Sequence, residues 1–286
     1  MSAPPPNPAV QKIMAFFEEK TGQRLSEGRL WRMEIVLNAI LRDHGVQSLD
    51  ALHREITRNE RGSLASATIH ALTNHESSFF RDQGVFLALE HQVLPALNRT
   101  LPEKMLRIWS VGCSSGQEAY SMAMILRRQE EMWRGWRLSI VGTDISPIAI
   151  QQAQAGIYTQ MDVQRGLAIT DLLRWFDPHE EGWQVNQDLG SLVTFRADNI
   201  LEPSAARGHF DIILCRNVML YFEPAQRAKA FAALAGYARP ESVLVLGAGE
   251  TSIGSGADFM PSTVHRGLYQ LAPKQDQGLR LRRTFG

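Results

Sequence analysis

An open, mostly parallel, doubly wound α/β sheet with a small all-α domain before it and a small β insertion within it is the fold class the sequence predicts. Three observations predict it. Up to about Leu72, apolar residues recur at spacings of three and four, with no strand signal. After about Leu101, short apolar runs alternate with helical stretches, the pattern of βαβ units. The run from Ile108 to Ser121 joins a strand to a helix through a glycine-bearing turn, where open α/β sheets take their ligands.

Along the chain, residues 1–8 carry Pro4, Pro5, Pro6 and Pro8 and read as a flexible tail without a signal-peptide pattern. Residues 9–72 form the helical domain. Ile13, Phe16 and Phe17 make one apolar stripe, and Leu30, Met33, Val36, Leu37, Ile40 and Leu41 another. Gly45 fits a C-cap, and Ser48 with Asp50 starts a helix over Leu49–Arg58. Residues 73–90 read as a linker that reaches the ligand site, and residues 91–286 as the main domain. Strands are predicted at 106–111, 138–144, 192–195, 210–215, 242–247 and 265–271, with helices at 118–129, 147–155 and about 224–237. The stretch from Trp175 to Ser191 breaks the alternation, so a small hairpin insertion is expected at about 175–196.

Composition narrows the function. Lys plus Arg and Asp plus Glu balance at 30 each, which argues against a general nucleic-acid binder. No apolar run is long enough to span a membrane, so a cytoplasmic protein without membrane insertion is expected. The cysteines Cys113 and Cys215 give no disulfide framework, and no Cys/His cluster has metal-ligand spacing, so no metal is expected.

The chemistry concentrates at strand ends. Gly112 and Gly116 let the backbone approach a ligand at a helix N-terminus, although the spacing is not that of a dinucleotide fingerprint. Asp144 ends the next strand, where an acid accepts from ribose hydroxyls or caps the following helix. Together these favour a nucleoside-type ligand, a dinucleotide or S-adenosylmethionine. Asp198 and Asn199 follow a third strand, as an adenine reader or as turn formers. Arg216 and Asn217 follow a fourth, where a buried cation must be used or paired. Ahead of the sheet, Phe79 and Phe80 either anchor the linker so that Ser77 and Arg81 face a cleft or simply pack it against the core.

The blocks Ser77-Ser-Phe-Phe-Arg-Asp82, Ile108-Trp-Ser-Val-Gly-Cys-Ser-Ser-Gly-Gln-Glu-Ala-Tyr-Ser121, Gly142-Thr-Asp-Ile145, Asp198-Asn-Ile-Leu201 and Cys215-Arg-Asn-Val-Met-Leu-Tyr-Phe222, in this order, resemble the chemoreceptor glutamate methyltransferases, the CheR family. The resemblance covers nearly the whole chain. It implies a Rossmann-like methyltransferase fold, S-adenosylmethionine as methyl donor with S-adenosylhomocysteine as product, and receptor glutamate γ-carboxylates as acceptors. By motif position it implies that His75, Ser77, Arg81, Gly112, Glu118, Asp144, Asn199, Ile200, Asn217 and Val218 bind the donor. Ser77 and Arg81 fall at its methionine and sulfonium end, Glu118 at its amino-acid part, Asp144 at the ribose, and Asn199 with Ile200 at the adenine. Arg81 and Tyr221 are the implied catalytic residues, Tyr221 beside the transferred methyl.

Departures from the family pattern are His75 for Asn, Gln117 and Ala119 in the Gly-Glu-Glu-Pro segment, and Gly247-Ala-Gly-Glu250 for the Gly-His-Ser-Glu segment. The short 175–191 insertion, without a basic cluster, predicts no tethering to a receptor C-terminal pentapeptide. The implied partner is the helical cytoplasmic bundle of a chemoreceptor, met by a monomer. Arg54, Arg58 and Arg61 on one helical face, with Arg24, Arg29 and Arg32, offer a basic surface for it. A methyltransferase for a small molecule or RNA, and a donor-binding sensor without turnover, are the competing readings.

Overall fold

The computed structural model describes residues 7–25, 30–202, 208–252, 259–263 and 266–271. The proline tail lies outside them up to residue 6, and helix α1 (Pro8–Thr21) begins inside the stretch expected to be flexible. Asn7 caps it by accepting from the Ala9 N–H at 2.9 Å, and Pro8 sits in the first turn, where a helix needs no N–H. Helices α2 (Leu30–Asp43), α3 (Leu49–Arg58) and α4 (Ser63–Leu72) complete the bundle. Ser48 caps α3 as its sequence implies. Val10, Ile13 and Phe16 meet Leu37, Ile40, Leu52, Ile56, Ala65 and Ile69 in one core.

The segment expected to be a linker holds a helix, α5 (Gln83–Ala88), which runs through a π turn at Leu89–Val93 into α6 (Leu94–Thr100). Pro95 breaks the helical pattern in the sequence, yet it falls in the first turn of α6, where proline is tolerated. Val85, Phe86, Leu89, Val93, Leu94 and Leu97 bury against the sheet.

The main domain then runs β1 (Met105–Val111), α7 (Gln117–Arg128), β2 (Arg137–Asp144), α8 (Pro147–Ala155), β3 (Ile157–Tyr158), α9 (Gln160–Gln164), α10 (Ile169–Trp175), β4 (Phe176–His179), β5 (Gly182–Val185) and α11 (Gln187–Gly190). It continues with β6 (Val193–Ala197), β7 (Phe210–Cys215), α12 (Pro224–Gly236), β8 (Ala238–Leu246), β9 (Phe259–Pro261) and β10 (Leu268–Leu271). Of the predicted last strand, His265 lies outside the described residues.

Seven strands form the large sheet in the order β6-β2-β1-β7-β8-β10-β9. The first five named are parallel, and β10 runs antiparallel to β8. Leu106, Ile108, Ile140, Ile212 and Leu214 face one core with α5, α6 and α7. Their neighbours Trp109, Val111, Val141, Ile213 and Cys215 face the other, with α12. Burial on both faces is why these strands read as continuous apolar runs. The chain order reverses between β1 and β7, so a crevice opens at their carboxyl ends.

The insertion differs from a lone hairpin at 175–196. β4 and β5 do form a hairpin, but β3 pairs with β5 from the other side, and β6 belongs to the large sheet beside β2. Val193–Ala197 is a register match for Ile140–Asp144 and completes that sheet, which ends the insertion before it.

This small sheet seats the linker. Phe79 is fully buried, with its ring edge-on to Tyr158 at 5.0 Å and Phe176 at 5.6 Å. Gly166, at φ +91°, passes so close that a Cβ there would lie 2.0 Å from the Phe79 carbonyl oxygen. Among the described residues no helix is long and apolar enough to cross a membrane, and no group of three His, Cys, Asp or Glu is placed to hold a metal ion. Gly166→Ala is expected to cost about 1–3 kcal/mol, because both backbone strain and the contact must be relieved. Urea denaturation measures it, and a stability equal to wild type would show that this loop yields without resistance.

Candidate active site

A cleft of about 950 Å³, taken to its open mouth, lies at the carboxyl ends of β6, β2, β1 and β7. It brings together every candidate residue read from the sequence: His75, Ser77 and Arg81 from the linker, Gly112 and Glu118 after β1, Asp144 after β2, Asn199 and Ile200 after β6, and Asn217, Val218 and Tyr221 after β7.

The floor of the cleft is built by turns in left-handed conformations, at Gly112 (φ 64°), Ser114 (φ 50°) and Asn217 (φ 61°). At Gly112 a side chain has no room, since a Cβ would meet the Val218 methyl at 2.5 Å. Asp144, 6% exposed, neither lies idle nor caps α8. Its two carboxylate oxygens accept from the Ser114 and Ser146 N–H groups, each at 2.9 Å, and so tie the glycine loop to the loop after β2. Ser146 is the cap of α8, accepting from the Ala149 N–H at 3.2 Å. Each carboxylate oxygen retains acceptor capacity for a further donor.

The loop after β7 hangs on Glu250. Its carboxylate accepts from the N–H groups of Asn217, Met219 and Gly247, each at 2.8 Å. Sequence reasoning weighed this segment only as a departure from a family pattern; the acid just past an apolar strand was the available signal. Glu118 accepts from the Ser110 hydroxyl at 2.7 Å and from the Arg216 guanidinium at 3.1 Å. Gln117 turns inward to the Ser115 hydroxyl at 3.0 Å and does not line the cleft.

The linker closes one side. Phe80, at φ 49°, donates its N–H to the Ser121 hydroxyl at 3.0 Å. The Arg81 guanidinium donates to the Glu76 carbonyl at 2.8 Å. The His75 ring turns onto His70, stacked at 4.2 Å, and its Nε2–H donates to the His70 carbonyl at 3.0 Å. Its own carbonyl accepts from the Ser114 hydroxyl at 3.0 Å. Next to it, the Asn74 amide donates to the Tyr221 phenolic oxygen at 3.2 Å.

The helical bundle supplies a roof that the sequence did not reveal. Thr21, the last residue of α1, and Gln23, just past it, line the cleft. The Arg24 N–H donates to the Tyr221 carbonyl at 2.7 Å, and Asn199 donates to the Lys20 carbonyl at 3.0 Å. These contacts join residues far apart in the chain and involve no distinctive residue type, so no local signal marked them.

Titration behaviour is set by burial. The Cys113 thiol, at the cleft floor, is pushed well up by desolvation and then by the Asp144 and Glu118 carboxylates, so it stays protonated and is no nucleophile. His70 is pushed down to about 4 by burial and by its neighbour His75. The Ser146 hydroxyl, which accepts from Ala149, shares a hydrogen bond of 2.8 Å with His70 Nδ1.

A parallel sheet wound on both sides, with a glycine turn and an acid at adjacent strand ends beside the topological switch point, defines a Rossmann-like nucleoside site, and the family match makes it that of an S-adenosylmethionine-dependent methyltransferase. Residues 75–266 match the family described as CheR methyltransferase, SAM binding domain. The chain is 34% identical over 244 residues to the chemotaxis protein methyltransferase Cher2 of Pseudomonas putida, covering 84% of this chain and 89% of that one. It is 35% identical over 248 residues to chemotaxis protein methyltransferase 1 of Pseudomonas aeruginosa, covering 85% and 90%. With chemotaxis protein methyltransferase 1 of Vibrio cholerae the identity is 32% over 242 residues, covering 84% and 87%. The chain belongs to the CheR family of protein-glutamate O-methyltransferases.

Glu250→Gln removes acceptor capacity from buried N–H groups and is expected to cost about 1–3 kcal/mol, with weaker binding of S-adenosylhomocysteine as the Asn217 turn relaxes. Denaturation and calorimetry read the two effects; unchanged values in both would show that the turn holds itself.

A pH effect follows from His70. Its value is lowered from 6.5 to about 4, so between those limits the unfolded chain binds a proton that the folded one does not. The contribution is full above pH 6.5 and is lost as the pH falls towards 4. Melting temperatures of His70→Gln across that range should slope less steeply than those of wild type; parallel curves would count against this assignment.

Proposed function

We propose that the donor lies along the strand ends, with adenine beside Asn199 and Ile200, ribose at Asp144, the amino-acid part at Glu118, Asn217 and Val218, and the sulfonium end near Ser77, Arg81 and Tyr221. The observation that carries this placement is the order of the sheet. From β6 through β2 and β1 to β7, the cleft meets an amide, an acid, a second acid and a second amide. That sequence suits adenine, ribose and amino acid in turn. The fit is supported by the spare acceptor capacity of Asp144 and Glu118.

When bound, the donor would present a methyl carbon on its sulfonium; a carboxylate oxygen attacking that carbon in line would form the ester C–O bond as the C–S bond breaks, with neutral S-adenosylhomocysteine as the leaving group. A glutamate is ionised at neutral pH, so the chain provides no general base and works by positioning. Asn74 and the Arg24 N–H hold Tyr221 by its phenolic oxygen and its carbonyl. The Arg81 guanidinium, steadied by the Glu76 carbonyl, orients the acceptor carboxylate at the mouth. The protonated Cys113 adds no negative charge beside the sulfonium.

The acceptor is a glutamate on the cytoplasmic helices of a chemoreceptor. The basic surface expected to meet it is not one helical face, because α3 ends at Arg58 and Arg61 lies in the turn before α4; Arg58 is paired with Glu55 at 2.6 Å and Arg24 with Glu223 at 2.9 Å, while Arg54 and Arg61 are exposed. Arg29 and the Arg32 side chain lie outside the described residues. We assign the steering to Arg54 and Arg61. Residues 175–191 hold no Lys or Arg, and Arg174 beside them lies over the Trp175 ring at 4.5 Å, so binding does not rest on a receptor C-terminal carboxylate.

Labelled methyl should pass from S-adenosylmethionine to receptor cytoplasmic fragments and be released by base, as a carboxyl ester is. Label that resists base would overturn the acceptor chemistry. Calorimetry with a free receptor pentapeptide should show no saturable heat; low-micromolar binding would show that the insertion grips it.

A further inference from the structure

β7 delivers a cation into the interior at the point where a sheet residue should be apolar. The Arg216 side chain is 2% exposed. Its guanidinium donates to Glu118 at 3.1 Å, to the Asp82 carboxylate at 2.6 Å and to the Arg81 carbonyl at 2.7 Å, and its carbon lies 5.4 Å from the centre of the Phe86 ring. Three separate segments therefore converge on one side chain: the end of β7, the first turn of α7, and the linker at the entry to α5. Burying that cation is costly, and the cost is offset only when the fork finds its partners.

Arg216 lines the cleft, as do two of the residues that partner it, Glu118 and Arg81, while Asp82 lies behind them. The Arg81 carbonyl belongs to the residue whose guanidinium lines the cleft mouth. We propose that Arg216 is a positioning residue for methyl transfer, one buried guanidinium holding Glu118 on the donor side and the Arg81–Asp82 backbone on the acceptor side in a single geometry. The inference rests on the donor placement given above and adds to it the element that keeps donor and acceptor in register.

The charges support the same arrangement. Arg216 with Glu118 and Asp82 sums to one net negative charge, with Asp82 at 43% side-chain exposure and Glu118 at 14%. One Glu118 oxygen is fixed by Arg216 and the other by the Ser110 hydroxyl, and each retains a lone pair for a donor ammonium. Asp82 sits in a left-handed conformation at φ 59°, directly before α5, and the Arg216 contact holds the linker where Phe80 and Ser121 have already pinned it.

The two arms of the fork can be separated. Arg216→Lys keeps a charge opposite Glu118 but cannot reach the linker as well. It should bind S-adenosylhomocysteine within about threefold of wild type by calorimetry, yet lose roughly tenfold or more in kcat on receptor fragments, because reacting groups lose their alignment. Asp82→Asn, at a part-exposed position, weakens only the linker arm; it should lower kcat with KM for the donor and the melting temperature near wild type. Arg216→Gln removes both arms and should lose both affinity and kcat. If that variant fails to fold, Asp82→Asn decides. Wild-type kcat in both Arg216→Lys and Asp82→Asn would overturn the proposal and leave Arg216 as a packing ion pair. A wild-type protein that binds no S-adenosylhomocysteine would instead overturn the donor placement.

Discussion

Strands that end at a parallel sheet's carboxyl edge leave amide groups without partners, and this chain satisfies them with carboxylates. Asp144 takes the Ser114 and Ser146 N–H groups, and Glu250 takes those of Asn217, Met219 and Gly247. Because unpartnered buried N–H groups are costly, the loops have one low-energy arrangement rather than several. The cleft is what that arrangement leaves open. Its residues are placed by backbone capping first, and their chemistry towards a ligand follows from where the caps put them.

The electrostatics follow from the same economy of charge. The buried Arg216 is surrounded by Glu118, Asp82 and a carbonyl, while the Cys113 thiol nearby is kept neutral by burial and by the adjacent acids. A reaction that neutralises a sulfonium against a carboxylate is slowed by excess negative charge near the sulfur. The site keeps its acids engaged, Asp144 by amides and Glu118 by a hydroxyl and a guanidinium, instead of leaving bare carboxylates in the cleft.

His75 shows how a change of residue type can be absorbed. In place of an amide facing the cleft, the imidazole stacks on His70 and its carbonyl takes the Ser114 hydroxyl. The amide in this region comes from Asn74, one residue earlier, which reaches Tyr221. The segment therefore still connects the glycine loop to the loop after β7, through different atoms.

Much of this was legible in the sequence. The strands at 210–215 and 138–144 and the helices at 49–58 and 147–155 follow from apolar runs, caps and glycines, which act over a few residues. The candidate site residues could be named because the blocks that carry the family resemblance are local in sequence and distinctive in residue type. Other features depended on contacts distant in the chain. β3 is two residues long and exists only because β5 lies beside it; β6 leaves the insertion only because β2 offers a matching edge. The roof from Thr21 and Gln23, the fork of Arg216 and the triple cap of Glu250 each require segments that meet only once the sheet has formed. Sequence by itself determined the periodicities, the caps and the chemical types at the strand ends. The tertiary structure decided which of those groups face one another, because buried charges and amides must find partners wherever the fold brings them.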